Sequence, residues 1–357
     1  MLKTASRTLL PLALAVGLLV SPGCRNGQVS GIESTDRLRT QCVGRHRISL
    51  PDGLELEYAA SSATFYFGHG VDFETVEFQV AAEGVEVDDF VAVVGSRAAE
   101  ISSETNEKTG GSMLVAHEEL GGDSFLLRYH RSDISDRSHV HEVHRLVDGV
   151  HVFLKAPSYK GVTAPVEARL KELAARVASV AQAAGSGFCI GPVMLDAGND
   201  YEAATIRYRH AGARNRDVSV QVELGTFRRD DAEPRLVRRL EGNFRGLGFK
   251  PRPLRKGAAR LAGMPAEEWL ASEQLEDRQE HLFVIESYPA APGLATPTIQ
   301  VTLGTGGTLP PRGLPGLPPY RSPAGGAAWM GEPVTSSLTD AQALALWDAM
   351  IQSMAPR

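Results

Sequence analysis

The densest group of side chains able to do chemistry is a run of histidines, His139, His141, His144 and His151, with Glu142 and Asp148 among them. His141-Glu142-Val143-His144 falls one residue short of the pattern in which two histidines one helical turn apart hold zinc beside a glutamate base. On a strand, alternation sends His139 and His141 to one side and His144 to the other. Asp148-Gly149, between two β-like runs, is the strongest hairpin signal in the chain. As a two-residue turn it sets Leu146 opposite His151 and His144 opposite Phe153, so His144 and His151 share a face. No three histidines converge, and the reading is of surface or edge-strand positions rather than a metal site. The chain carries no Gly-x-Ser-x-Gly elbow, phosphate loop or dinucleotide fingerprint, and Gly185-Ser186-Gly187 lies at a junction. No catalytic residue, no cofactor and no enzyme are expected.

The cysteines speak about place rather than catalysis. Residues 1–24 read as an export signal, with Lys3 and Arg7 ahead of an apolar run from Leu9 to Val20. That run is shorter than the about 20 residues that span a membrane. It stops at Ser21-Pro22-Gly23-Cys24, which resembles the lipobox of bacterial lipoproteins, although Ser21 stands where leucine is usual. Cys24 is therefore the expected site of lipid attachment, and Arg25 after it favours the outer membrane. Residues 25–40 are polar and aperiodic and read as a tether. Cys42 and Cys189 remain, and in an oxidising periplasm two leftover thiols are expected to pair. The alternative is that both stay reduced in buried strands.

Both cysteines also mark the organisation of the chain. Gln41-Cys42-Val43-Gly44 and Phe188-Cys189-Ile190-Gly191 each open a run of strands that continues through a helix and more strands to a closing helix. The sequence predicts two similar tandem domains, 41–186 and 187–357, each an antiparallel sheet with helices on one face: an α+β fold. A strand is expected over Val43 to Leu50, and a helix from about Asp88 with Phe90, Val94, Arg97 and Ile101 on one side. The first closing helix is expected over 163–183, capped by Thr163 and carrying Val166, Leu170, Leu173, Val177 and Val180. In the second domain, Leu236, Leu240 and Phe244 share a helical face. A capping box, Thr339 with Gln342, starts the last helix, whose stripe is Leu344, Trp347, Ile351 and Met354. The Gly/Pro-rich stretch 304–333 is long for a connection.

The formal charge of −6 becomes −8 once Lys3 and Arg7 are removed, which argues against a nucleic-acid partner. Residues 41–186 hold 22 acidic and 13 basic side chains, whereas 187–357 hold 19 of each. Ten of the acids lie between Asp72 and Glu107, opposed by Arg97. That excess is either a solvated surface or a face that steers a partner, in which case Asp88 and Asp89 are the candidate contacts.

Four stretches carry a resemblance that no chemical motif provides. They are Cys42-Val43-Gly44-Arg45-His46-Arg47-Ile48-Ser49-Leu50-Pro51, Gly187-Phe188-Cys189-Ile190, the run from Leu261 to Leu270 around Trp269, and the run from Ser337 to Asp348 around Trp347. In order and in company they resemble the lipid-anchored immunity proteins that accompany type VI secretion phospholipase effectors. The resemblance implies a non-catalytic periplasmic protein whose two domains grip a cognate phospholipase like a claw. A periplasmic lipoprotein that binds a small ligand or helps assemble the envelope is the competing expectation.

Overall fold

Each Cys-(Val/Ile)-Gly triplet ends the first arm of a tight hairpin. Strand Leu38–Gly44 turns at Gly44-Arg45 into His46–Pro51, with Val43 opposite His46. Gly44 sits at φ +60°, and a Cβ there would meet Leu224 Cδ1 at 2.8 Å, so the turn needs glycine. The expected strand from Val43 to Leu50 is thus broken at its second residue. In the same way Phe188–Ile190 turns at Gly191-Pro192 into Val193–Leu195, with Ile190 opposite Val193. The two hairpins then pair with each other, Val43 to Ile190 and Gly44 to Cys189. A disulfide joins Cys42 to Cys189 at a Cα separation of 5.8 Å. It ties chain segments 147 residues apart and so removes conformational freedom mainly from the unfolded state.

The computed structural model describes residues 38–357 except 69–72, 122, 184, 186, 230–231, 248–249 and 310–331. The export signal, Cys24, most of the tether and most of the 304–333 stretch lie outside the described residues. Those that are described belong to one compact unit, Gly31–Arg357.

The principal sheet runs through both halves of the chain and is antiparallel throughout. From its centre outward the first half contributes Ser62–Phe67, Glu74–Glu83, Val150–Tyr159, Ser135–Val147, Ser124–Ser132 and Leu114–Gly121. The second half contributes, in the matching order, Tyr201–His210, Ser219–Gly225, Thr298–Thr305, Gln279–Ser287, Met264–Gln274 and Arg252–Leu261. The halves meet where Tyr201 pairs with Tyr66 and Ala203 with Thr64. The Asp148-Gly149 turn is as expected, with positive φ of 49° and 76° and Leu146 opposite His151.

Among the described residues four α-helices dress this sheet: α1, Val87–Ser103; α2, Thr163–Ala175; α3, Leu236–Leu247; and α4, Asp340–Ser353. One face carries α2, α4 and the two hairpins over a continuous core that includes Phe65, Phe78, Phe188, Ile206, Phe283 and Trp347. Burial of that face is the main source of stability. On the opposite face α1 packs Phe90, Val94, Ala98 and Ile101 over Leu127 and Leu146 at one end of the sheet. There α3 packs Leu236, with Phe244 stacked on Trp269 at 4.9 Å, at the other end.

The closing helices differ from expectation in one respect each. Helix α2 stops at Ala175, because Val177–Ser179 pairs with Val193–Leu195 and is drawn into the hairpin sheet. Its N-cap position is Val162, with no side-chain cap. Helix α4 has the expected capping box between Thr339 and Gln342, but its inward stripe is Ala343, Trp347 and Met350, with Leu344 and Ile351 at the margin. After α4, Ala355–Pro356 pairs with His46–Pro51. Each half therefore ends on the hairpin of the other.

Candidate functional site

Three neighbouring elements bring a hydroxyl, an imidazole and a carboxylate into line in the first half. His141 lies on the Ser135–Val147 strand, Ser158 on the next strand and Glu167 in the second turn of α2. His141 Nε2 and Ser158 Oγ share a hydrogen bond of 2.7 Å, and His141 Nδ1 lies 3.2 Å from Glu167 Oε1. Serine hydrolases use these groups in this order. Burial removes that chemistry here: Ser158 is 1% exposed and His141 0%, so no substrate carbonyl can reach the hydroxyl. His141 Nδ1 also lacks a well-aligned hydrogen bond to the carboxylate, which Arg128 engages at 2.7 Å. Burial pushes His141 down to about 4, against the opposing pull of Glu167, and leaves the ring neutral at pH 7. What the group does is fasten α2 to the sheet.

The second half repeats the arrangement with the ring nitrogens exchanged. His281 Nδ1 bonds Thr305 Oγ1 at 2.7 Å and Ser336 Oγ at 3.1 Å, while Nε2 bonds Asp340 Oδ1 at 2.9 Å. The strands bearing His281 and Thr305 hold the same places in the sheet order as those bearing His141 and Ser158. Asp340 opens α4 as Glu167 sits early in α2. His281 is 3% exposed. Two buried copies of one constellation, each at the start of a closing helix, are structural clasps.

The other histidines are corrected by the structure. His144 and His151 are buried, not at the surface, because their strands have neighbours on both sides and α1 lies across them. His144 Nδ1 and His151 Nε2 are 3.0 Å apart on the shared face. Beside them Tyr129 Oη donates to Glu142 Oε1 at 2.6 Å and Arg97 Nε to Oε2 at 3.4 Å. Burial would raise the Glu142 carboxyl, but the approach of His144 Nε2 at 3.5 Å, the hydrogen bond from Tyr129 and the charge of Arg97 hold it at about 2. Burial likewise lowers His151 to about 4. Among the described residues no group of three His, Cys, Asp or Glu side chains is placed to hold a metal ion.

With the buried groups accounted for, the outer face of the sheet is the exposed feature of note. Between α1 and α3 the central strands present their polar alternation to solvent, for example Thr64, Glu77, Thr205 and Gln221. At one end of this bare face four aromatic rings gather. Tyr201 and Phe227 stack at 5.0 Å, Tyr66 meets Phe227 edge-on at 4.8 Å, and Phe73 meets Tyr201 edge-on at 5.8 Å. Tyr66 and Phe73 come from the first half, Tyr201 and Phe227 from the second. Asp88 and Asp89 lie exposed in the first turn of α1, where the helix dipole favours acids. The sequence reading passed over the aromatic group, whose only local signal is a ring at the ends of strands that meet in the fold.

Residues 183–357 match the family model for the C-terminal domain of Tle cognate immunity protein 4. That segment is similar to this family of type VI secretion immunity proteins, the family the four sequence stretches resemble. The fold as a whole is similar to an apo structure of the immunity protein TplEi of the type VI secretion system from Pseudomonas aeruginosa. The TM-score is 0.61 at 19% identity, over 90% of this chain and 97% of that one. A chain of the Tle4–Tli4 complex matches with a TM-score of 0.62 at 19% identity, over 91% and 98%. TplEi with an "L" peptide matches at 0.56 and 18% identity, over 91% and 99%. At such identities the likeness is one of fold. No curated protein sequence matches the chain.

Proposed function

We propose that this protein binds and inhibits a phospholipase effector of a type VI secretion system, protecting the producing cell from self-intoxication in its periplasm. The observation that carries the reading is the family match over 183–357, joined to a fold shared along nearly the whole length of known immunity proteins. An inhibitor needs complementary surface rather than catalytic groups. The two hydroxyl–imidazole–carboxylate sets support that reading, since the imidazole of each and the hydroxyls of Ser158 and Thr305 are buried. The effector is engaged by residues 41–186 and 187–357 together, as the two related halves of one inhibitor. Lipidated Cys24 places it on the inner leaflet of the outer membrane, and the acidic first half, including Asp88 and Asp89, steers the encounter.

The mature chain, mixed with its cognate phospholipase effector, is expected to abolish lipase activity at near-stoichiometric ratio. Protection at low periplasmic concentration calls for a Kd of about 1 nM, roughly −12 kcal/mol. The chain alone is expected to leave ester, phosphate and peptide substrates unchanged. A lipase that stays fully active in several-fold excess of the chain refutes the proposal.

A further inference from the structure

The bare face of the sheet holds a cleft of about 260 Å³ beside the aromatic group. Its floor includes Gly225 and Thr298, which pair across neighbouring strands and carry small side chains. A Cβ on Gly225 would meet nothing within 4 Å, so the space above it is open. One wall is Phe227, which is 38% exposed although three other rings brace it. Such a braced ring has little freedom left to lose on binding, which is the character of an interface anchor.

The charges around the cleft are unevenly matched. Glu286 accepts from Arg229 at 2.5 Å and from Arg239 at 2.9 Å, and Glu233 also pairs with both arginines. Glu223 differs. It accepts from the amides of Gln221 and Gln300 and has no ion pair among the described residues. A partner covering this cleft would strip water from a carboxylate that has no ion pair among the described residues. An apolar or acidic occupant makes that cost worse. A cation offsets it and gains the attraction of the neighbouring ring as well.

We infer that this cleft seats an arginine or lysine side chain projecting from the effector, with Glu223 as its counter-ion and Phe227 as its aromatic wall. The inference rests on the proposed function and adds the recognition chemistry at one point of the interface. Because the ring cluster draws on both halves, the seat exists only in the joined molecule.

The experiment is a binding titration of the full mature chain against its cognate phospholipase effector, at low and high salt. Phe227→Ala is expected to weaken binding about 30-fold or more, the size of a hot-spot loss. Glu223→Gln is expected to weaken it about 10-fold and to flatten part of the salt dependence, and Glu223→Lys to weaken it further than Gln. Both residues reach the surface, so thermal midpoints near wild type are expected and separate loss of contact from loss of fold. Wild-type binding unchanged in all three variants overturns the inference and leaves the proposed function standing. Failure of the wild-type chain itself to bind refutes the proposed function, and this inference with it.

Discussion

The two clasps, His141 in the first half and His281 in the second, occupy matching places yet are built to different standards. His281 is bonded on both ring nitrogens, to Thr305 and Ser336 on one side and Asp340 on the other. His141 has one well-formed bond, to Ser158, and a bent approach to a carboxylate shared with Arg128. The helix ends differ in the same sense: α4 begins with a capping box, α2 with an uncapped Val162. The comparison teaches that hydroxyl, imidazole and carboxylate in sequence are a way of fixing a helix to a sheet. Catalysis requires in addition a hydroxyl that a substrate can touch.

Substitution at the two histidines probes the asymmetry most strongly. His281→Leu strips partners from three buried or half-buried polar groups and is expected to cost about 3 kcal/mol, read as a lower midpoint in denaturant unfolding. His141→Leu loses one good bond and is expected to cost about half as much, or roughly 1–2 kcal/mol. Equal costs would show that the difference in geometry has no energetic counterpart.

Acid comes next. Burial lowers His46, His141 and His151 to about 4, and all three belong to the first half. Unfolded histidines take up protons near pH 6.5, the folded ones only near pH 4. The unfolded state therefore binds more protons between those limits. Stability is expected to hold above about pH 6.5 and to fall as pH drops towards 4, by about 1.4 kcal/mol per pH unit for each histidine. His141→Gln should reduce that slope by one histidine's share. An unfolding free energy that stays level from pH 7 to 4.5 contradicts the burial of these rings.

The smallest contrast is at the caps. Thr339→Ala is expected to cost about 1 kcal/mol, because its hydroxyl accepts from the Gln342 amide at the start of α4. Thr163→Ala in α2 should cost less than about 0.5 kcal/mol, since its hydroxyl has only a 3.5 Å approach to Ser158. Differential scanning of the two variants side by side ranks them.

These particulars show which parts of the fold could be read from the chain. The Asp148-Gly149 turn, the common face of His144 and His151, and the Thr339–Gln342 box depend on neighbours within a few residues, and local pattern carried them. The helical period through Val177 and Val180 misled, because pairing with Val193–Leu195 overrode it. Burial of His144 and His151 depends on where α1 lands, which no spacing within their own strands records. The ring cluster escaped notice for the same reason: Tyr66 and Phe227 touch only because the first strands of the two halves pair. Glu223 looked like any polar position of an alternating strand, and its lack of an ion pair among the described residues sets it apart from Glu286.

The exchange of closing segments sets an order of assembly. His46–Pro51 lies near one end of the described chain, yet its outer neighbour is Ala355–Pro356, and Arg357 N donates to Arg45 O at 3.0 Å. A chain synthesised from its N-terminal end first thus leaves that strand's edge unpaired until Ala355–Pro356 follows. The hairpin sheet can close only once both halves have been made, so its formation depends on contacts far apart in sequence and comes late in folding.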